Sequence, residues 1–253
     1  MRKPFIAGNW KMNTNSEMSV SLAGGVASKI GEAAGEKVDV AMCPPFVYLQ
    51  AVAKAVAASN IAVGSQNVYF EEKGAFTGEI SCEMLKDIGC TYAIIGHSER
   101  RHVIGETNEL INKKVKAAIQ SGLLPILCVG ELLEEREGEK TIEVVTSQLN
   151  AGLEGLNAEQ VLAVTVAYEP VWAIGTCLTA TPEQAQEVHK VIRDLLAKKY
   201  GSEIAEQIRI QYGGSAKPSN TVELMAQKDV DGLLVGGASL KVDDFVDMIN
   251  KAG

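Results

Sequence analysis

The sequence predicts one α/β domain, folded as a closed (β/α)8 barrel over residues 1–253, and three observations support this prediction. Eight short β-type segments are nearly continuous apolar runs, which is typical of parallel strands covered on both faces. Segments with helical spacing separate them, so that strands begin about every 32 residues. No linker rich in Pro, Gly or Ser divides the chain, which favours a single domain.

The predicted strands alternate with helices along the whole chain, as parallel pairing requires. A doubly wound open sheet is the alternative architecture. It normally needs a long crossover connection and often a Gly-x-Gly-x-x-Gly turn, and the sequence contains neither. The predicted strands are Phe5–Trp10, Val38–Cys43, Ile61–Gln66, Tyr92–His97, Leu124–Gly130, Ala163–Glu169, Ile208–Tyr212 and Gly232–Gly236.

The helix that follows the sixth strand has the strongest local signals. Thr181 is placed to cap its start, Pro182 suits its first turn, Gln184 can close a capping box, and Gly201 marks its end. His189 lies in this helix and is interpreted as a surface residue without a role, as is His102. Further helices are expected over Glu109–Gln120, over Lys140–Leu149, after Pro44-Pro45 and from Pro218.

Composition excludes several classes of protein. The net charge is −8 and no long basic run occurs, which argues against a nucleic-acid surface. No apolar run approaches the length of a membrane span, and the apolar stretch behind Lys3 is too short for a signal peptide. The five cysteines form no Cys-x-x-Cys pair, so we expect reduced thiols in a cytoplasmic protein. No His/Cys cluster suggests a metal.

Polar and glycine residues end the predicted strands or follow them directly. In a parallel barrel these ends lie on one face, where barrel active sites form. A single polar residue at the end of a strand usually has no catalytic role, but these residues taken together predict an active site. The residues are Asn9 and Lys11, Gln66 and Asn67, His97 to Glu99, Glu169, Gly213 to Ser215, and Gly236 and Gly237.

Three of these residues have the chemistry of a proton-transfer site. Glu169 follows an apolar run, so burial would raise its pKa and suit it as a base, although a salt bridge is an equal reading. His97 could donate a hydrogen bond to a carbonyl oxygen, although taken alone it fits a loop contact better. Lys11 follows a buried strand, where a desolvated ammonium group is costly unless an anion lies nearby. Its position therefore favours a site that binds an anion.

Two glycine turns indicate a phosphate site. Backbone N–H groups hold a phosphate well, and glycine lets the backbone approach it closely. Gly213-Gly214 and Gly236-Gly237 follow the seventh and eighth strands, where barrels often bind phosphate. Two ordinary tight turns are the alternative. The segment around Ser98 lacks the final glycine of a nucleophile elbow, so Ser98 is interpreted as structural.

Five segments of the chain resemble the signature motifs of the triosephosphate isomerase family. They occur in family-like order and spacing from residue 5 to about residue 248. They are Gly8-Asn9-Trp10-Lys11-Met12-Asn13, Ile95-Gly96-His97-Ser98-Glu99-Arg100-Arg101, Ala167-Tyr168-Glu169-Pro170-Val171-Trp172-Ala173-Ile174-Gly175-Thr176, Tyr212-Gly213-Gly214-Ser215 and Val235-Gly236-Gly237-Ala238-Ser239.

The resemblance implies the TIM-barrel fold and the interconversion of glyceraldehyde 3-phosphate and dihydroxyacetone phosphate without a cofactor or metal. Glu169 would remove the proton from the carbon next to the carbonyl, and neutral His97 would polarise the carbonyl oxygen. Lys11, with Asn9, would hold the substrate and balance the enediolate charge. The implied phosphate ligands are Gly175, Ser215, Gly236 and Gly237, with Glu99 and Cys128 supporting the catalytic residues from behind.

A lid is expected over residues 170–180, because an enediolate phosphate exposed to water could lose its phosphate. The resemblance implies a latch in which the Tyr212 and Ser215 hydroxyls hold the lid. Cys177 stands where the family usually has glycine. We expect a working isomerase with altered lid rates, and we expect Cys177 to be the most exposed thiol, protected by a phosphate analogue.

Residues 67–79 form a long loop after the third strand, and loops of this length are usually functional. In the resembling family this loop enters a partner subunit and gives a homodimer, a use that its apolar tip at Ala75 and Phe76 fits. A disordered excursion is the alternative.

Two other functions are considered. The first is a phosphate-binding lyase or synthase that uses Glu169 and Lys11 as base and acid. The second is a sugar-phosphate sensor without activity, against which the complete set of catalytic residues argues.

Overall fold

The barrel is closed by parallel pairing in chain order. A computed structural model describes residues 2–30, 36–175 and 178–253. Each strand pairs with the next, and β8 pairs with β1, which confirms the closed barrel and excludes the open sheet. The strands are β1 (Phe5–Asn9), β2 (Asp39–Cys43), β3 (Ile61–Ser65), β4 (Cys90–Ile95), β5 (Leu124–Val129), β6 (Thr165–Tyr168), β7 (Ile210–Tyr212) and β8 (Gly232–Val235).

Helices surround the strands on the outside. They are α1 (Ser16–Lys29), α2 (Leu49–Val56), α3 (Cys82–Asp87), α4 (Asn108–Ser121), α5 (Leu133–Glu137), α6 (Thr141–Gly152), α7 (Ala158–Val161), α8 (Pro182–Tyr200), α9 (Ser202–Ala205), α10 (Thr221–Met225) and α11 (Val242–Ala252). Single turns of 3-10 helix lie at Phe46–Tyr48, Val171–Ala173 and Gly237–Leu240, and a π-helical turn at Arg100–Ile104. Pro218 opens a turn, and α10 begins only at Thr221.

The predicted cap of α8 is confirmed. The Thr181 hydroxyl accepts from the Gln184 N–H at 3.2 Å, and the Gln184 side chain accepts from the Thr181 N–H at 2.9 Å. Gly201 ends the helix with φ 93°. The interpretation of His189 as a surface residue is wrong, because its side chain is fully buried. Helical spacing places it on the inner face of α8, four residues after the buried Ala185 and next to the buried Val188.

Apolar side chains pack in two layers, which explains why the strand sequences are nearly continuous apolar runs. One layer lies between the strands and the helices. The other fills the barrel from alternate strand positions, such as Phe5 and Ala7 on β1. The same alternation reaches Asn9 at the end of β1 and Glu169 directly after β6, so both polar side chains lie at the mouth of the barrel.

None of the helices in the described part of the chain is long and apolar enough to cross a membrane. Its four cysteines, Cys43, Cys82, Cys90 and Cys128, are all buried free thiols. Cys177 and Thr176 lie outside the described residues, so the expectations for them stay predictions.

Candidate active site

The strand ends converge on one cavity of about 840 Å³ at the C-terminal mouth of the barrel. Its lining includes predicted site residues from strands that are far apart in sequence. They are Asn9, Lys11, His97, Glu169, Gly175, Ser215, Gly236 and Gly237. Three further predicted residues, Glu99, Cys128 and Tyr212, lie outside this lining, and the first two contact residues that belong to it.

Glu169 is buried, with only 1% of its surface exposed, and its carboxylate is fully engaged. Oε2 accepts from the Ser98 backbone N–H at 2.9 Å, and Oε1 accepts from the Ser98 hydroxyl at 3.3 Å. His97 Nε2 lies 2.9 Å from Oε1. Burial pushes the pKa of Glu169 upward, but the His97 contact and the Ser98 N–H outweigh burial, and the pKa lies below its ordinary value. The expectation of a raised pKa is therefore wrong for this arrangement, in which the charge has close partners.

The hydrogen bonds around His97 identify its tautomer. Nδ1 accepts from the Glu99 backbone N–H at 3.3 Å, so the ring proton belongs on Nε2, where it faces Glu169. Burial disfavours the imidazolium, while the Glu169 carboxylate favours it and raises the pKa of His97. A neutral ring with its proton on Nε2 can donate to a substrate oxygen once the Glu169 carboxylate moves away from Nε2.

Lys11 has a strained backbone and a defined partner. Its φ is 53°, a region that side chains other than glycine rarely adopt. The Asn9 side chain accepts from the Lys11 N–H at 3.0 Å, and the Gln66 side chain donates to the Lys11 carbonyl at 2.8 Å. Nζ lies 2.6 Å from Glu99 Oε1. Glu99 is therefore an anion next to the Lys11 ammonium within the protein itself. Lys11 nevertheless lines the cavity.

The glycine turn after β7 lies directly against the base. A β-carbon at Gly213 would come 2.9 Å from Cγ of Glu169, and the Gly213 N–H donates to the Tyr168 carbonyl at 2.7 Å. Glycine is thus required here for close approach. At Gly237 open space lies over the backbone, where the 3-10 turn begins.

Cys128 and Tyr212 lie behind the cavity. Burial raises the pKa of the Cys128 thiol well above its ordinary value, and the nearby Glu169 carboxylate acts in the same direction. Burial also raises the pKa of Tyr212, and the Ala180 backbone near its hydroxyl acts in the opposite direction.

A buried carboxylate holds the first turn of the predicted lid. Glu131 Oε1 accepts from the Trp172 indole at 2.9 Å and from the Tyr168 hydroxyl at 3.1 Å. The Glu131 carbonyl accepts from the Val171 N–H at 3.1 Å. Burial raises the pKa of Glu131 against these hydrogen bonds. The apolar run after Pro170 thus docks on the barrel through polar as well as apolar contacts.

Sequence reasoning missed three residues of this site. Ser98 was interpreted as structural, yet it contacts the Glu169 carboxylate through two atoms. Gln66 was noted only as a strand end, and Glu131 was not noted. Glu131 directly follows the fifth predicted strand, so the strand-end pattern contained a signal for it. Across residues 2–30, 36–175 and 178–253, no group of three His, Cys, Asp or Glu side chains is arranged to hold a metal ion.

Comparison with known proteins agrees with this geometry. The family model described as "Triosephosphate isomerase" matches residues 4–252. A triosephosphate isomerase of Carboxydothermus hydrogenoformans is 57% identical over 249 residues, which cover 98% of each chain. Proteins of the same name from Rhodopirellula baltica and Clostridium perfringens are each 52% identical, over 251 and 250 residues. These alignments cover 99% of this chain and 98% and 100% of the two relatives.

Proposed function

The chain belongs to the triosephosphate isomerase family, and we propose that Glu169, His97 and Lys11 carry its reaction. It is an isomerase of glycolysis and gluconeogenesis that interconverts D-glyceraldehyde 3-phosphate and dihydroxyacetone phosphate. This identity sets aside the lyase and the sensor. We also propose a cytoplasmic location, since the relatives are enzymes of glycolysis.

The distance of 2.9 Å between His97 Nε2 and Glu169 Oε1 carries the assignment. Glu169 takes the proton from the carbon next to the carbonyl, the electrons of that C–H bond form the C=C bond of the enediolate, and the carbonyl π electrons move to the oxygen. Return of the proton from Glu169 to the other carbon completes the isomerisation. The proton on His97 Nε2 faces the developing oxyanion, and Lys11 balances its charge. The carboxylate must leave Ser98 to reach the substrate, because both its oxygens are occupied in this arrangement.

The substrate phosphate is assigned to the far wall of the same cavity. Gly175, Ser215, Gly236 and Gly237 border it, and backbone N–H groups there suit a dianion. Lys11 on the same lining adds local positive charge to a protein whose net charge is −8.

Turnover of the Glu169→Gln variant tests the base assignment. The amide keeps the shape of the side chain but accepts protons poorly, so kcat should fall by about 10²- to 10⁴-fold. The rate is followed with glyceraldehyde 3-phosphate and a coupled dehydrogenase. Glu183→Gln, at an exposed position on α8, is the control and should retain the parental rate. Equal turnover in Glu169→Gln and Glu183→Gln would overturn the assignment.

The lid is assigned to residues 170–180. Its first turn, Val171–Ala173, is held by the Trp172 contact to Glu131, and its far end approaches Tyr212 at Ala180. Closure over the bound substrate would exclude water from the enediolate. Cys177 lies outside the described residues, and its protection by a phosphate analogue remains the test of a lid position.

The proposed assembly is a homodimer that forms through residues 67–79. Exposed apolar side chains follow each of the first four strands, which are neighbours in the barrel. They are Met12, Val47, Phe76, Val103 and Ile104, with exposed fractions of 96%, 81%, 38%, 78% and 62%. Exposed apolar side chains on the loops after four neighbouring strands fit a second copy of the chain.

Contacts within the loop give it a defined shape, although residues 71–79 are exposed. The Tyr69 N–H donates to the Ile80 carbonyl at 2.8 Å and closes the base of the loop. The Phe76 ring folds back to 5.0 Å from the Tyr69 ring. At the loop's start, the Asn67 side chain accepts from the buried Lys114 ammonium at 2.8 Å.

Light scattering on a sizing column tests the dimer. We expect twice the chain mass of 27.0 kDa for the parent and a shift toward one chain for Phe76→Glu. Leu162→Glu, an equally exposed apolar position before β6, should leave the mass unchanged. A parent that elutes as a single chain would refute the dimer.

A further inference from the structure

The backbone of Gly130 lies directly against the backbone of the catalytic base. A β-carbon at Gly130 would fall 1.7 Å from the Glu169 carbonyl oxygen and 2.6 Å from its carbonyl carbon. Real side chains do not tolerate such distances, so only glycine fits this position. Any displacement of the Gly130 peptide therefore moves or releases the backbone of Glu169.

Gly130 lies beyond the regular pairing of its own strand. The last registered pair between β4 and β5 is Ile95 with Leu127, and the last between β5 and β6 is Val129 with Tyr168. The Gly130 backbone groups thus lack a ladder partner, although the residue is buried. A buried peptide group without a hydrogen bond destabilises the folded chain, so these groups need another partner.

One side chain supplies both bonds. Gln148, on α6, accepts from the Gly130 N–H at 2.8 Å through Oε1 and donates to the Gly130 carbonyl at 3.1 Å through Nε2. Gln148 is buried, with 8% of its surface exposed. Its primary amide therefore replaces a neighbouring strand for one residue.

The peptide that Gln148 holds serves two parts of the site. On one side it packs against Glu169, whose N–H donates to the Val129 carbonyl at 2.8 Å. On the other side it leads directly into Glu131, which holds the Trp172 indole of the lid. One amide side chain outside the cavity thus fixes the backbone behind the base and the anchor of the lid.

We propose that Gln148 is a positioning residue for proton transfer, which acts through Gly130 on the Glu169 carboxylate. The inference rests on the proposed role of Glu169 as the base. Gln148 is not among the residues that line the cavity, and its hydrogen bonds within the described residues go to Gly130. Its loss should therefore impair the chemical step and leave phosphate binding intact.

The test compares Gln148→Met with the parent. Methionine has a similar length and makes neither bond, so kcat should fall about tenfold to a hundredfold, as expected for a small misplacement of a reacting group. KM and inhibition by inorganic phosphate should change less than about twofold. The isotope effect on kcat/KM for substrate deuterated at the carbon next to the aldehyde should rise, because proton transfer becomes more rate-limiting.

Val145→Ala controls for a general loss of packing. Val145 is fully buried on the same helix, and its apolar side chain cannot form a hydrogen bond with Gly130. This variant should keep the parental kcat and isotope effect despite its lower stability. If Gln148→Met behaves like Val145→Ala, Gln148 is only structural and the inference is overturned.

A second substitution keeps the test available if the methionine variant does not fold. In Gln148→Glu the carboxylate still accepts from the Gly130 N–H but donates to the carbonyl only when protonated. Its kcat relative to the parent should therefore rise as the pH falls, and a ratio that does not vary with pH would contradict the proposal.

The Glu169→Gln variant distinguishes failure of the base assignment from failure of the role proposed for Gln148. If Glu169→Gln retains turnover, the base assignment fails and this inference fails with it. If Glu169→Gln abolishes turnover but Gln148→Met leaves kcat and the isotope effect unchanged, only the role of Gln148 is refuted.

Discussion

The buried imidazole of His189 should make the protein lose stability as the pH falls from 6.5 toward 4. Its Nδ1 lies 3.0 Å from the Asp229 carbonyl, so Nδ1 carries the proton, and Nε2 has no partner within the described residues. Burial lowers the pKa of His189 from 6.5 to about 4, and Arg193 adds to this effect, while Asp229 opposes it. The rings of Tyr168 and Tyr212 lie 5.8 and 6.5 Å from the imidazole and offer it no charge.

The sign and size follow from proton linkage. The unfolded chain binds a proton on His189 at a higher pH than the native chain does, so stability is complete above pH 6.5 and declines below it. A pKa difference from 6.5 to about 4 corresponds to about 3 kcal/mol in full, of which about 2 kcal/mol is lost at about pH 5.

His189→Asn removes the titration and keeps an N–H that can reach the Asp229 carbonyl. The assay is urea unfolding of both proteins at one protein concentration, at about pH 7.5 and about pH 5. The stability advantage of the parent over His189→Asn should shrink by about 2 kcal/mol between these pH values. An advantage that is the same at both pH values would refute a neutral, buried His189.

Two other predictions concern buried groups. Glu106→Gln leaves the buried Lys114 ammonium without its carboxylate and should lower the free energy of unfolding by about 3–5 kcal/mol. Lys114→Met should cost less, because Glu106 keeps the Arg100 guanidinium at 2.6 Å. Urea unfolding of the two variants measures this order, and the reverse order would contradict it. The four described thiols, whose pKa values burial raises, should resist a thiol reagent at neutral pH until denaturant is added. Rapid labelling of any of them in a Cys177→Ser variant would contradict their burial.

Local patterns in the sequence were sufficient for the barrel and for the position of most cavity residues. Continuous apolar runs mark strands buried on both faces, and the period of two carries the inward positions on to Asn9 and Glu169. The cap of α8 was likewise readable, because Thr181 and Gln184 are neighbours on one turn. The roles of the cavity residues came from resemblance to a family, since spacing alone left each of them open to an ordinary structural reading.

Tertiary structure decided which polar groups meet and what their charges do. The contact between Glu169 and Ser98 joins residues that are 71 positions apart in the sequence. The hydrogen bonds between Gln148 and Gly130 join a helix to a strand end 18 residues earlier. Burial alone predicts a raised pKa for Glu169, but its partners lower it. Such contacts depend on how strands and helices close into a barrel, and the energy of a buried charge depends on partners that distance in sequence does not reveal. The amino-acid sequence by itself thus determined the elements and the face on which chemistry occurs, whereas only the closed barrel determined the partners of each buried polar group.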